Sequence, residues 1–230
     1  MITTFQDYNQ TIPTNQLNPE QENIVQEYME SFTPKICCLE SYWNLNMTDS
    51  FSVKPFLKAI GWMLEKKIII AHRMISSGQD LEYYVKYPNG LIYQDPRLAG
   101  IDCFYLTGHG KPGGLTSSVM DIESEELISA FTGIDRCFNI VYFSSCEVFS
   151  GAEGKQFAKE FLKKTGVAAV LGYTELTPFI DGMVIDTLFL TRFFDTTGNK
   201  FEQLQEIYDS VVLDYPRSLD CGFSLFLNEK

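Results

Sequence analysis

Five short apolar runs recur along this chain: Ile36–Leu39, Ile68–Ala71, Ile101–Leu106, Asn139–Phe143 and Val167–Leu171. Runs of this length suit strands buried on both faces, and helical patterns lie between several of them. Val53–Leu64 places Phe56, Leu57, Ile60 and Leu64 on one helical stripe, and a short helix is expected at about Ser124–Phe131. Another is expected from about Gly154, with Glu153 at its start, Lys163 and Lys164 in its last turn and Gly166 beyond as cap. Thr177 as N-cap and Pro178 at the first helical position open a long helix to about Phe194. Phe201–Val212 reads as a further helix and Phe223–Leu227 as a last strand. Residues 79–100 fit either state, because Tyr83, Val85 and Tyr87 alternate as in a strand while Leu81, Tyr84 and Val85 suit a helix. Alternating strands and helices predict an α/β sandwich with a mostly parallel sheet covered on both faces, and with ligand chemistry at the carboxyl ends of the strands.

At 230 residues the chain has room for one such domain, which hides roughly 70% of its unfolded surface and needs no metal or disulfide staple. Residues 1–26 hold five Gln and four Asn with few large apolar side chains, so the expected division is a polar N-terminal arm, 1–34, and a domain, 35–230. Eighteen Lys and Arg against 30 Asp and Glu leave a net charge of −12, which repels a phosphate backbone and argues against nucleic-acid partners. The six cysteines contain no CxxC pair and there are only two histidines, so no zinc spacing can be drawn and no metal or other cofactor is expected. The most apolar stretch, about Phe179–Phe194, is broken by Asp181, Asp186 and Arg192, too soon for a membrane span. No basic leader precedes Lys35, and free thiols suit a reducing cytoplasm, which is the expected location.

Two segments follow strands directly. Thr107-Gly108-His109-Gly110-Lys111-Pro112-Gly113-Gly114 leaves the third, and Ser144-Ser145-Cys146-Glu147 leaves the fourth. Sequential strands tend to be neighbours, so His109 and Cys146 should converge. A thiol at a strand end beside a histidine is a candidate nucleophile with its base. The N–H groups of Gly110 and Cys146 are the candidate oxyanion donors, since glycine lets the backbone approach a substrate closely. Cys37, Cys38, Cys103, Cys137 and Cys221 read as buried structural thiols. His72 also ends a strand but has no partner motif. Gly108 to Gly113 satisfies GxGxxG, a competing nucleotide-binding reading, but Pro112 and the residues after it do not open the helix such a site requires.

Phe104-Tyr105-Leu106-Thr107-Gly108-His109-Gly110 resembles the histidine loop of the clan CD cysteine peptidases, the caspase, metacaspase, legumain and separase group. Val141 to Glu147 resembles its cysteine strand, and the order of elements over about 100–212 is most similar to the CHAT branch. The resemblance implies a caspase-like three-layer sandwich and a cysteine endopeptidase that cuts protein or peptide substrates with His109 and Cys146. It also implies a regulated effector role in bacterial antiviral defence. A free protease with an open dyad would damage its own cell, so latency is expected, relieved by a partner, a signal ligand or self-assembly. A catalytically inactive binding module of the same fold is the alternative. The pocket beside the cysteine is expected from Ser144, Glu147, Tyr173, Thr174, Glu175 and Asp181. Ser144 stands where basic-specific metacaspases carry Asp, so no strict Arg or Lys requirement is expected and small or apolar P1 residues should be tolerated. Glu147, Glu175 or Asp181 would supply charge if the preference were basic.

Overall fold

A computed structural model of the chain describes residues 33–43, 51–117, 120–133 and 139–228. Cys137 and nearly all of the expected N-terminal arm lie outside these residues. The described residues form a six-stranded sheet in the order β2-β1-β3-β6-β7-β8. Its strands are β1 (Lys35–Ser41), β2 (Ile69–Ile75), β3 (Cys103–Thr107), β6 (Ile140–Ser144), β7 (Ala169–Tyr173) and β8 (Phe223–Leu227). All neighbours are parallel except β7 and β8. A separate hairpin joins β4 (His109–Lys111) to β5 (Gly114–Thr116). This is the mostly parallel α/β sandwich that the alternating runs predict.

The strands are buried on both faces, and their side chains sort by the two-residue period of the pleat. Cys37, Leu39, Phe104, Leu106, Val141, Phe143 and Val170 face one core. It is closed by α2 (Gly78–Val85), α3 (Ser124–Phe131) and α4 (Gly151–Thr165). Ile36, Cys38, Cys103, Tyr105, Ile140, Tyr142, Leu171 and Tyr173 face the other. That side is covered by α1 (Lys54–Met63), α5 (Phe179–Asp195) and α6 (Leu204–Asp214). Burial raises the thiol pKa of Cys38 and Cys103 well above the ordinary value, and both are structural, as expected. Among the described residues no helix is long and apolar enough to cross a membrane.

Several boundaries differ from the local reading. The ambiguous stretch contains α2 and two 3-10 turns, Leu91–Tyr93 and Pro96–Leu98, because Ser77 caps the helix through the Asp80 N–H and Leu81 and Val85 are fully buried. Helix α4 starts at Gly151, three residues before the expected Gly154, and Gly166 ends it in the left-handed conformation with φ +71°. Thr177 is not a cap. Pro178 occupies that position, and the Thr177 hydroxyl instead donates toward the Glu175 and Cys221 carbonyls. The GxGxxG segment becomes β4 and a tight turn, not a helix N-terminus, which removes the geometry of the nucleotide-binding reading.

The order of strands reverses direction once. From β1 the chain moves outward to β2 and then returns past β1 to β3, so the carboxyl ends of β1, β3, β6 and β7 open onto one crevice. Phe161 on α4 lies on the opposite core, fully buried against Phe131, Phe143 and Phe157. Truncating Phe161→Ala should cost about 3–5 kcal/mol in chemical denaturation, while the exposed Met63→Ala should stay within about 0.5 kcal/mol.

Candidate active site

Pairing of β3 with β6 sets Thr107 opposite Ser144, so the segments that leave these strands start side by side. His109 follows two residues after Thr107 and opens β4; Cys146 follows two residues after Ser144. Both line a cavity of about 590 Å³ at the carboxyl ends of the strands. Trp43, beyond β1, and Thr177, beyond β7, complete its rim, and Phe51, Phe56, Phe179 and Met183 give it apolar walls.

The imidazole of His109 is exposed, yet it is oriented. Its Nε2 lies 2.9 Å from the Trp43 carbonyl oxygen, and its ring meets the Trp43 indole edge-on at 5.5 Å. A carbonyl oxygen only accepts, so Nε2 carries the proton in the neutral ring and Nδ1 keeps a lone pair for base chemistry. Trp43 is held in turn: its indole N–H donates to Glu40 Oε1 at 2.8 Å. Glu40 is fully buried at the end of β1 and also receives His72 Nε2 at 2.6 Å, Ser52 Oγ at 2.7 Å and the Val53 N–H at 3.0 Å. Burial opposes its charge, but these four donors outweigh it and hold the carboxyl below its ordinary value. His72 is therefore part of the support for the His109 side of the crevice.

Cys146 is partly buried, and its sulfur touches Thr177 twice. The Thr177 N–H points at Sγ at 3.4 Å, and the thiol can donate to the Thr177 carbonyl at 3.6 Å. No hydrogen bond joins His109 to Cys146 among the described contacts; the two loops meet instead through Gly110. A Cβ added at Gly110 would sit 2.0 Å from the Cys146 carbonyl oxygen, so no other residue fits. Leu115 gives both its backbone groups to Ile122, which makes the Gly110–Leu115 pair a non-hydrogen-bonded one and turns the Gly110 N–H away from β5. Further along, the Gly113 N–H donates to Val148 O at 2.9 Å, and the Glu147 and Phe149 N–H groups donate to Glu175 O and Tyr173 O. The hairpin, the cysteine loop and the end of β7 are thus tied by backbone bonds.

The floor of the cavity is a buried carboxylate. Asp186, on α5, accepts Tyr105 OH at 2.5 Å and Ser144 Oγ at 2.6 Å on Oδ2, and Tyr173 OH at 2.6 Å together with Tyr142 OH on Oδ1. Burial pushes its carboxyl above the ordinary value, and the four hydroxyls pull against that shift.

Of the expected site residues, the structure brings His109, Gly110, Cys146, Ser144 and Tyr173 to one place. Glu147, Thr174, Glu175 and Asp181 do not line the cavity. Asp181 turns toward Arg217, at 3.0 Å, and the Tyr215 hydroxyl; Thr174 turns toward Gly222 O. Trp43, Glu40 and Asp186 were not singled out from the sequence. For Asp186 the available signal was an acid inside an otherwise apolar helical run.

Comparison with known proteins places these features in context. Residues 33–214 match a family described as "Family of unknown function (DUF6642)". No curated protein matches. Among solved structures, caspase-1 from Spodoptera frugiperda is similar, with 11% identity, TM-score 0.45, and coverage of 85% of this chain and 87% of that one.

Two outcomes follow from the geometry. Gly110→Ala should destabilise the fold by about 1–3 kcal/mol in thermal or chemical melts, because the new methyl meets backbone. Glu40 stabilises the fold fully above 4.5, its ordinary value, and loses that contribution as pH falls through its lower folded value. Glu40→Gln should therefore cost about 1–3 kcal/mol at neutral pH and flatten the acid limb of the stability profile.

Proposed function

Because this chain belongs to the DUF6642 family, whose description assigns no function, its chemistry has to be read from the site, and we propose that it is a cysteine endopeptidase. The observation that carries this reading is the pairing, at one cavity, of a thiol that receives an N–H with an imidazole whose Nε2 is committed to a carbonyl and whose Nδ1 is free. In the proposed cycle His109 Nδ1 takes the Cys146 proton and the thiolate attacks a peptide carbonyl. The Gly110 and Cys146 N–H groups face the oxyanion, each worth about 10²–10³ in rate. His109 then returns the proton to the departing amine, and water, activated by the same ring, hydrolyses the acyl-enzyme.

The similarity of the His109 and Cys146 segments to clan CD peptidases, and to the CHAT branch within it, supports the same assignment. On that resemblance alone rests the wider role, an effector of antiviral defence. His109 and Cys146 share no hydrogen bond, which fits a resting state that a partner protein, a signal ligand or self-assembly brings to competence. Strand β8, at the edge of the sheet, is a candidate contact surface for such a partner.

Cys146→Ala or His109→Ala should lower cleavage of a proteome-derived peptide library by at least about 10³-fold without a change in melting temperature. Wild-type cleavage by Cys146→Ala would end the assignment. A specific activity that rises with protein concentration would support assembly, and full activity in a dilute additive-free monomer would contradict latency.

A further inference from the structure

The Asp186 floor bears on what the cavity binds, an inference that rests on the peptidase reading above. Each hydroxyl that points at Asp186 has a single proton, and the short oxygen–oxygen distances commit those protons to the carboxylate. Tyr105, Tyr173 and Ser144 also line the cavity, as does Asp186 itself. Tyr105, Tyr173 and Asp186 are only 1–2% exposed, so the cavity meets this group over little surface, and hydroxyl oxygens whose protons are so committed have only lone pairs left to offer. An ionised Asp186 makes the floor a set of lone pairs backed by negative charge. Among the described residues no Lys, Arg or His lies at ion-pair distance from Asp186.

We infer that Asp186, acting through the hydroxyls of Tyr105, Tyr173 and Ser144, selects a basic side chain, lysine or arginine, at the substrate position next to the scissile bond. Ser144 lies two residues before Cys146 on the same segment, and both line the cavity. The aromatic and aliphatic walls suit the methylene stem of such a residue, and the floor suits its charged head. An apolar side chain would cover the floor and leave its acceptors unpaired; an acidic one would meet like charge. Ser144, two residues before the candidate nucleophile, hands its hydroxyl to an acid supplied by another element. This replaces the expectation of tolerance for small or apolar residues, and it places the charge on Asp186 and not on Glu147, Glu175 or Asp181.

The test uses two readouts on the full chain. Fluorogenic peptides that differ only at P1 should be cleaved with kcat/KM about 10²-fold higher for Lys or Arg than for Leu or Glu. Asp186→Asn should reduce that ratio at least tenfold. If that variant fails to fold, Tyr105→Phe and Ser144→Ala, each of which removes one oxygen, should each reduce it by about 3–10-fold. Separately, calorimetric titration of Cys146→Ala with the same peptides should show tighter binding of the Lys and Arg peptides by at least tenfold, lost with Asp186→Asn. Cleavage without a basic preference overturns the role of Asp186 and leaves the peptidase standing. A basic binding preference with no cleavage by wild type, even at high protein concentration and with cell extract added, overturns the peptidase and leaves the basic site standing. Equal binding of all four peptides overturns the basic site whatever the cleavage result.

Discussion

The parallel pairing of β3 with β6 is the constraint from which the site follows. Parallel strands end on the same side, so Thr107 opposite Ser144 sends the histidine and cysteine segments off the same edge of the sheet, and Thr107 Oγ1 donates to Ser144 O at 3.0 Å across the join. The tight contact of Gly110 with the Cys146 carbonyl and the Gly113–Val148 bond then extend that pairing beyond the sheet. A register slip of one residue would turn Tyr142 and Ser144 to the opposite face and dismantle the cavity floor along with the strand core.

The same register explains how an anion can sit in the core. Tyr105, Tyr142 and Tyr173 are positions of β3, β6 and β7 that face α5, and they present three hydroxyls to one carboxylate from that helix. Taking a carboxylate out of water costs several kcal/mol, and hydrogen bonds to a charged acceptor return about 1.5–3 kcal/mol each, so the donors together offset that cost. Glu40 solves the same problem on the other side of the crevice with an imidazole, a serine, an indole and a backbone N–H. The two buried acids are shifted in opposite directions, because Glu40 gains more from its donors than burial costs it, whereas burial wins at Asp186. One braces the Trp43 segment that orients His109; the other sets the potential of the cavity beneath Cys146.

The layered fold was legible in the order of the apolar runs, since a strand buried on both faces must be apolar on both, and β1, β3, β6 and β7 are. Short signals at helix ends fared less well. Ser77 was not read as the cap of α2, and Thr177 was read as a cap of α5 although its N–H and hydroxyl are engaged with Cys146, Glu175 and Cys221. Local propensity gives way when a tertiary partner competes for the same group.

By itself the sequence determined the strand order along the chain, the two strand-end segments, and the convergence of His109 with Cys146, because periodicity and strand-to-loop transitions are properties of neighbouring residues. Which acids mattered was decided only in three dimensions. Glu147, Glu175 and Asp181 were the nearest in sequence to the cysteine or the pocket wall, and they do not line the cavity; Asp186 was a break in an apolar run until α5 folded over the sheet. Its partners Tyr105 and Ser144 stand 81 and 42 residues away. A carboxylate declares its role through the donors that surround it, and no pattern along the chain records donors that only packing brings together.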